Sequence, residues 1–571
     1  MRVKNNRTPA AFDQARFALI WRLAQSEAQR ASSMANDTLA AATGIGPIVE
    51  TVSGKLRGSL DNGIHIFKGV PYGASTAGHN RFRPPQPPPA WSDVREALAY
   101  RGRAWQLPGR PPRRPVLETL LGPADTTPET EDCLTLNLWT PGLGDGGTRP
   151  VMVWLHGGAF AYGSGNRTVT DGANLARRGD VVVVSVNHRL NIFGFLHLDD
   201  IGGAGWMHSG NAGMLDLIAA LRWVHDNIAV FGGDPSNVTV FGESGGGGKV
   251  SALLAMPAAK GLFHRAIIQS GAAIRVLTRE RANALAAQAL RELGLGGHEC
   301  ERLLEQPPER ILAAIAPAVR ALGRSRWPLL DRYDFGPVVD GADLPQHPCD
   351  PEAPGIGDGI PMLVGGTREE SAFFLADDDQ VWNGVLSETE LRQRVAAVAG
   401  AEADALLAVY NAAMPQASPG DRLIKAMTGS NFWIRTVILA ERYAARPHLH
   451  VLTRLAEPGA SGASQGTSCD GPTVRVRQHR NRGHDRRRHG RARTGGANGR
   501  HLDRICPTRP PRQSGDPGVA CLHASRTRDD GVRRRMPLNP RSRPQRPCAL
   551  DAPRQGLTGL QCAAASALRT A

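Results

Sequence analysis

The sequence has 571 residues, enough for one large α/β domain or two to four of average size. Its 41% hydrophobic and 21% charged residues are ordinary for a globular protein, and no apolar run reaches the roughly 20 residues that span a bilayer. A formal charge of +15 would suggest nucleic acid, yet the segment from Gln465 onward holds 23 arginines, 7 aspartates and no lysine, glutamate or aromatic residue, a net of +16 that leaves −1 for the first 464 residues.

Residues 1–45 read as a flexible extension. FALIW (17–21) is too short for a secretory leader, and Met34 offers an alternative start. From Gly46 onward apolar runs alternate with helical stretches. VMVWLH (151–156), VVVVSVNH (181–188), VTVFGES (238–244), AIIQSG (266–271) and PMLVGG (361–366) have the continuous apolar character of parallel strands covered on both faces. MLDLIAALRWVHDNIAVF (214–231) has helical periodicity and stops at Gly232-Gly233, after which Asp234-Pro235 is expected to turn the chain into the next strand. Residues 272–350 and 375–445 are Ala- and Leu-rich and predict a helical cap at the carboxyl edge of the sheet. The pattern is that of an α/β protein with a mostly parallel central sheet. The domain is expected over 46–455, and residues 456–571, which lack the apolar residues to build a core, predict a disordered tail.

Of eight cysteines, five lie in the tail, and the spacing of Cys133, Cys300 and Cys349 matches no metal site. They read as buried free thiols of a cytoplasmic protein.

Two motifs carry chemistry. Gly242-Glu243-Ser244-Gly245-Gly246 follows a strand and opens a small-residue helix. A serine hydroxyl must stand clear of the sheet to meet a base, and a sharp strand-to-helix turn achieves this, which makes Ser244 the candidate nucleophile. His156-Gly157-Gly158-Ala159-Phe160 follows the strand ending near residue 155. Small residues there let backbone N–H groups approach a developing oxyanion, so Gly158, Ala159 and Gly245 are the candidate donors. His156 is expected to pack or orient the loop, and Glu243 to tune the site electrostatically.

Collinear with these motifs are FKGVPYG (67–73), RFRPPQPP (81–88), EDCLTLNLWTP (131–141), NHRLNIFGFL (187–196) and the long GNAGMLDLIAALRWVHDNIAVFGGDPSNVTVFGESGG (210–246). Together they resemble the type-B carboxylesterases, relatives of the cholinesterases, over roughly residues 46–450. The resemblance implies the α/β-hydrolase fold and hydrolysis of a small-molecule carboxylic ester through an acyl-serine intermediate. It implies no metal or organic cofactor, while the lack of a long apolar run predicts no membrane and the aromatic-free arginine tail predicts no specific nucleic-acid partner. In GGTREESAFF (365–374) it puts Glu370 in the position of the triad acid, with Glu369 where aspartate is usual and Ser371 where glycine is usual. Secreted relatives pair the cysteine equivalent to Cys133 with an upstream one. No cysteine precedes Cys133, which is consistent with a cytoplasmic enzyme.

The resemblance places the general base in a histidine loop after a strand near His450–Thr453, and that loop is missing. His479, His484, His489, His501 and His523 occur instead among arginines. Read one nucleotide later, the codons of Gln465 to His479 permit K-A-L-H-A-M-D-L-P-F-V-F-D-N-I, with the histidine spelled across Ser468 and Cys469. The same offset permits T-W-T-A-F-A over His501 to Cys506 and R-A-T-M-V-F-D-D-A over Thr527 to Arg535. These resemble the family's histidine loop, late helix and final strand in order, and predict a one-base frameshift between about Arg446 and Gln465. A chain so altered is expected to keep only the roughly 10³–10⁴-fold catalysis that survives loss of a triad member. A non-catalytic binding protein of the same fold is the competing reading. Nucleic-acid attraction through the tail alone would be non-specific.

Overall fold

The computed structural model describes residues 46–107, 121–323, 334–445 and the strand 451–456. The expected extension over 1–45 and the arginine-rich tail, with the histidines and the shifted frame read in it, lie outside the described residues.

Twelve strands are formed among the described residues: β1 (Ile48–Thr51), β2 (Gly54–Arg57), β3 (Ser59–Asp61), β4 (Ile64–Pro71), β5 (Arg95–Glu96), β6 (Thr135–Thr140), β7 (Arg149–Leu155), β8 (Val182–Val186), β9 (Gly233–Glu243), β10 (Arg265–Gln269), β11 (Met362–Thr367) and β12 (Val451–Ala456). Nine make the central sheet, in the order β12-β11-β10-β9-β7-β8-β6-β4-β3, while β1, β2 and β5 form a small separate one. From β12 to β8 all neighbours run parallel. The β6-β4-β3 edge is antiparallel. The continuous valine run of β8 is buried at every position, as expected of a strand covered on both faces.

The crossovers and flanking helices used below are α1 (Ala173–Gly179), α2 (Ala212–Asn227), α3 (Gly245–Leu253), α4 (Arg279–Glu292), α5 (Glu370–Phe374), α6 (Glu388–Ala399), α7 (Ala403–Ala413), α8 (Pro419–Thr428) and α9 (Ile434–Ala444). The expected helix over 214–231 is α2 followed by one 3₁₀ turn, Ile228–Phe231. It stops at Gly232, whose φ of +75° suits glycine. Arg189, buried after β8, grips α2 through a two-pronged ion pair to Asp216 at 2.6 and 2.8 Å. The turn expected at Asp234-Pro235 falls inside β9 as an irregularity. Pairing with β7 jumps from Arg149–Gly233 to Val151–Val238, and the Asp234 carboxylate accepts the Ser236 N–H at 2.9 Å.

The two helical segments differ from a single cap. Leu285, Leu290, Leu303, Ile311 and Ile315 of the first join the main core. In the second, Leu391, Val395, Leu406, Leu423 and Ile424 from α6, α7 and α8 build a small core of their own. The stretch Glu388–Ala413 also has the length and mean hydropathy of a membrane span, which its single residues had not suggested, and it is broken at Gly400 with φ +60°. α9 returns to the main core through Leu439 and Tyr443.

Candidate active site

β9 ends at Glu243 and α3 begins at Gly245, so Ser244 alone makes the turn, with φ 56° and ψ −121°. A non-glycine residue held there stores on the order of 1–3 kcal/mol of strain. The turn is held by crowding. A methyl group at Gly246 would sit 2.0 Å from the Leu155 carbonyl oxygen, and one at Gly271 would sit 1.8 Å from that of Ser244. The backbone is pinned by Ser244 N–H to the Gln269 carbonyl at 2.8 Å and Gly248 N–H to the Ser244 carbonyl at 3.1 Å.

The glycine loop after β7 closes against this turn. Gly158 has φ +90° and Ala159 φ +53°. The carbonyl of Gly158 accepts from Ala161 and Tyr162, and the Gly158 and Ala159 N–H groups make no backbone hydrogen bond among the described residues. Gly245 lies so close that a methyl on it would meet the Ala159 backbone at 2.2–2.4 Å. As the first residue of α3 it has no partner one turn earlier. Three N–H groups without a backbone partner and the positive end of a helix therefore meet beside Ser244, the arrangement that stabilises a developing oxyanion. Asn191, which the sequence had not singled out, clamps the loop. Its N–H bonds the Phe160 carbonyl at 2.7 Å and its amide bonds the Ala161 and Trp105 carbonyls at 3.1 and 2.8 Å. Its φ of +47° is a conformation that asparagine tolerates better than most residues.

His156 is buried, donates from Nδ1 to the Gly157 carbonyl at 2.8 Å and stacks on His188 with centroids 5.1 Å apart. Burial, then the nearby Lys249 charge, holds both imidazoles well below their ordinary pKa. A neutral ring whose Nδ1–H serves its own loop fits the packing role expected of it. The Glu243 carboxylate reaches to 3.0 Å from the point where a Gly157 methyl would stand.

Glu370 opens α5, is 2% exposed, and accepts the Thr367 N–H at 2.7 Å and the Ser270 hydroxyl. Burial raises its pKa, against those two hydrogen bonds. Its neighbour Glu369 is paired with Lys425, and Ser371 is buried with its N–H on the Thr428 hydroxyl at 3.1 Å. Register relates the groups: Glu243 pairs Gln269, Gln269 pairs Gly365 and Gly365 pairs Arg454. Ser244 and the Glu370 turn thus leave the same row of the sheet two strands apart, roughly 10 Å. Ser270 and Gly271, leaving β10 between them, touch Glu370 and Ser244 respectively. No histidine reaches Glu370 among the described residues. β12 lies beside β11 and ends with Ala456 opposite Thr367, whose N–H Glu370 accepts.

The model of the carboxylesterase family matches residues 45–448. The chain is 42% identical over 334 residues to the para-nitrobenzyl esterase of Bacillus subtilis, covering 58% of this chain and 65% of that protein. It is 41% identical over 337 residues to the phenmedipham hydrolase of Pseudarthrobacter oxydans, covering 59% and 64%. It thus spans just under two thirds of the length of both. Among solved structures it superposes on a carboxylesterase of Geobacillus stearothermophilus with a TM-score of 0.62 and 38% identity, covering 74% of this chain and 82% of that one.

Proposed function

The chain belongs to the carboxylesterase family, and on that premise we propose that it is a carboxylic ester hydrolase in which Ser244 is the nucleophile. The observation that carries the reading is the serine held at φ 56° beside three N–H donors without a backbone partner. Attack by Ser244 Oγ on the ester carbonyl forms a tetrahedral oxyanion, which Gly158, Ala159 and Gly245 receive. Collapse expels the alcohol and leaves an acyl-serine that water then hydrolyses. Glu370 orients and stabilises the base, whose place is the loop after β12. The pairing of β12 with β11 in family order supports a reading frame intact to Ala456, so we propose that the frame changes between residues 457 and 465. The buried free thiols Cys133, Cys300 and Cys349 support a reducing compartment.

The test is turnover of a short-chain p-nitrophenyl ester by the full chain and by Ser244→Ala. The expected result is weak turnover that disappears with Ser244, together with an acyl mass adduct on that residue. Turnover unaffected by the substitution would overturn the assignment. A complete lack of turnover alongside a specific bound partner would favour a non-catalytic binding protein. Sequencing the gene across codons 457–465 tests the frame.

A further inference from the structure

Lys249 is the one lysine with no exposed surface among the described residues, and the reaction outlined above does not use it. It lies on α3, one turn after Gly246, the residue that brings this helix against the end of β7. Residues three apart share a helix face, so the side chain rises along the same contact. Its Nζ donates to the His156 carbonyl at 2.8 Å and stands 5.8 Å from the centre of the Phe160 ring.

That carbonyl belongs to the peptide linking His156 to Gly157, where β7 has ended and the glycine loop begins. Gly157, Gly158 and Ala159 follow, and glycine backbones do not hold one conformation by themselves. The far end of the loop is clamped by Asn191 at Phe160 and Ala161. The near end has Lys249. A buried ammonium is unfavourable unless paired and hydrogen-bonded. Glu243, the residue before the nucleophile, acts as its counter-charge and opposes the fall in its pKa that burial causes. The other titratable groups facing this pocket, His156 and His188, are held neutral, and Lys249 contributes to keeping them so.

Resting on the esterase reading, we propose that Lys249 is a positioning residue. Its bond to the His156 carbonyl fixes the peptide plane from which the Gly158 and Ala159 donors are aimed, and couples that loop to the helix carrying Ser244 and Gly245. One cation thereby sets the distance between the two halves of the donor set.

Lys249→Met keeps the length and removes the donor. Hydrogen exchange measured on the full chain should show the loop amides of Ala161 and Tyr162, which donate to the Gly158 carbonyl, exchanging at least about tenfold faster, while those of Val182–Val186 in β8 are no faster. With the p-nitrophenyl ester, kcat should fall roughly 10- to 100-fold with KM within twofold, because the loop acts on the oxyanion and not on the bound ester. Lys249→Gln, which keeps an N–H donor on a shorter arm, should recover part of the loop protection. Unchanged loop exchange in a folded Lys249→Met chain would overturn the proposal, as would kcat and KM moving together. If the methionine variant fails to fold, the glutamine variant decides: faster loop exchange with an unchanged β8 supports the role, and wild-type exchange ends it. A wild-type chain without Ser244-dependent turnover sinks the esterase reading alone, and the exchange comparison still decides the role of Lys249.

Discussion

Consider what Lys249→Met does to stability rather than to the loop. Burial pulls the Lys249 ammonium from 10.5 down to about 7, with Glu243 opposing. At about 1.4 kcal/mol per pH unit between those values, a folded chain at pH 6.5 carries a penalty on the order of 5 kcal/mol for keeping that charge inside. Methionine has similar length, is apolar and removes the penalty. It also leaves the buried His156 carbonyl without its donor, which costs about 1–3 kcal/mol. The variant should therefore be more stable than the parent by roughly 2–4 kcal/mol at pH 6.5. The sign reverses with pH. Between 7 and 10.5 the unfolded chain holds the lysine proton and the folded chain has released it, so the parent gains stability as pH rises while the variant does not. Near pH 10 only the lost hydrogen bond remains, and the variant should be the less stable of the two. Urea unfolding of both chains followed by tryptophan fluorescence at pH 6.5, 8 and 10 reads this directly. A difference independent of pH, or a variant already weaker at pH 6.5, would refute the reasoning. Set beside faster exchange in the glycine loop, the result would make Lys249 a site where stability is given up for placement of the donors.

Glu370 has a raised pKa because it is buried, so its favourable contribution exists at low pH and is lost as pH rises through the folded value. Glu370→Gln should accordingly raise the melting temperature at pH 7.5 and lose that advantage at pH 4, while lowering ester turnover. An equal shift at both pH values would contradict the assignment. A Gly246→Ala methyl, 2.0 Å from the Leu155 carbonyl oxygen, must push α3 from β7 by about 1 Å. The expected effect is about 1–3 kcal/mol of destabilisation by overpacking and a loss on the order of 100-fold in turnover, and a variant with parental kinetics would argue against so tight a contact. Asp216→Ala strands the buried Arg189 and should cost about 3–5 kcal/mol in urea unfolding. A loss below 1 kcal/mol would show the pair to be solvated.

The parallel strands were readable because burial on both faces leaves an uninterrupted apolar run, and β8 is the clearest case. The Ser244 turn was readable because crowding at Gly242 and Gly246 excludes any side chain, which writes the geometry into residue type. Glu370 was singled out only through its place in a family-like stretch, since a lone glutamate after a strand carries no signal of its own. The groups that complete the site were harder to see for a shared reason. Ser270, Asn191 and Lys249 each act on residues distant in sequence, and hydroxyl, amide and ammonium side chains in those settings look like any others. The antiparallel β6-β4-β3 edge was hidden too, because β6 is buried at every position and reads like a parallel strand. The second helical segment looked like part of one cap, and only the packing of Leu391, Leu406 and Leu423 separates it.

The order of the sheet gives the proposed frame change a definite kinetic signature. Ser244, Ser270 and Glu370 follow β9, β10 and β11 in turn, and β12, after which the base is proposed to stand, lies beside β11. Each group belongs to a different loop on a common frame, so a change after Ala456 leaves the proposed nucleophile, donors and acid on their own strands and removes the base together with the late helix and final strand that the shifted frame spells after it. The base acts once the ester is bound, when Oγ loses its proton, and has no part in holding the ground state. A chain with the shifted frame restored after Ala456 should therefore match the present one in KM within a few fold and exceed it in kcat by roughly 10⁶-fold, the loss that follows removal of a triad base. Steady-state kinetics on the two purified chains distinguishes this from the alternative. If the missing segment chiefly built the ester pocket, KM would carry the difference and kcat would not.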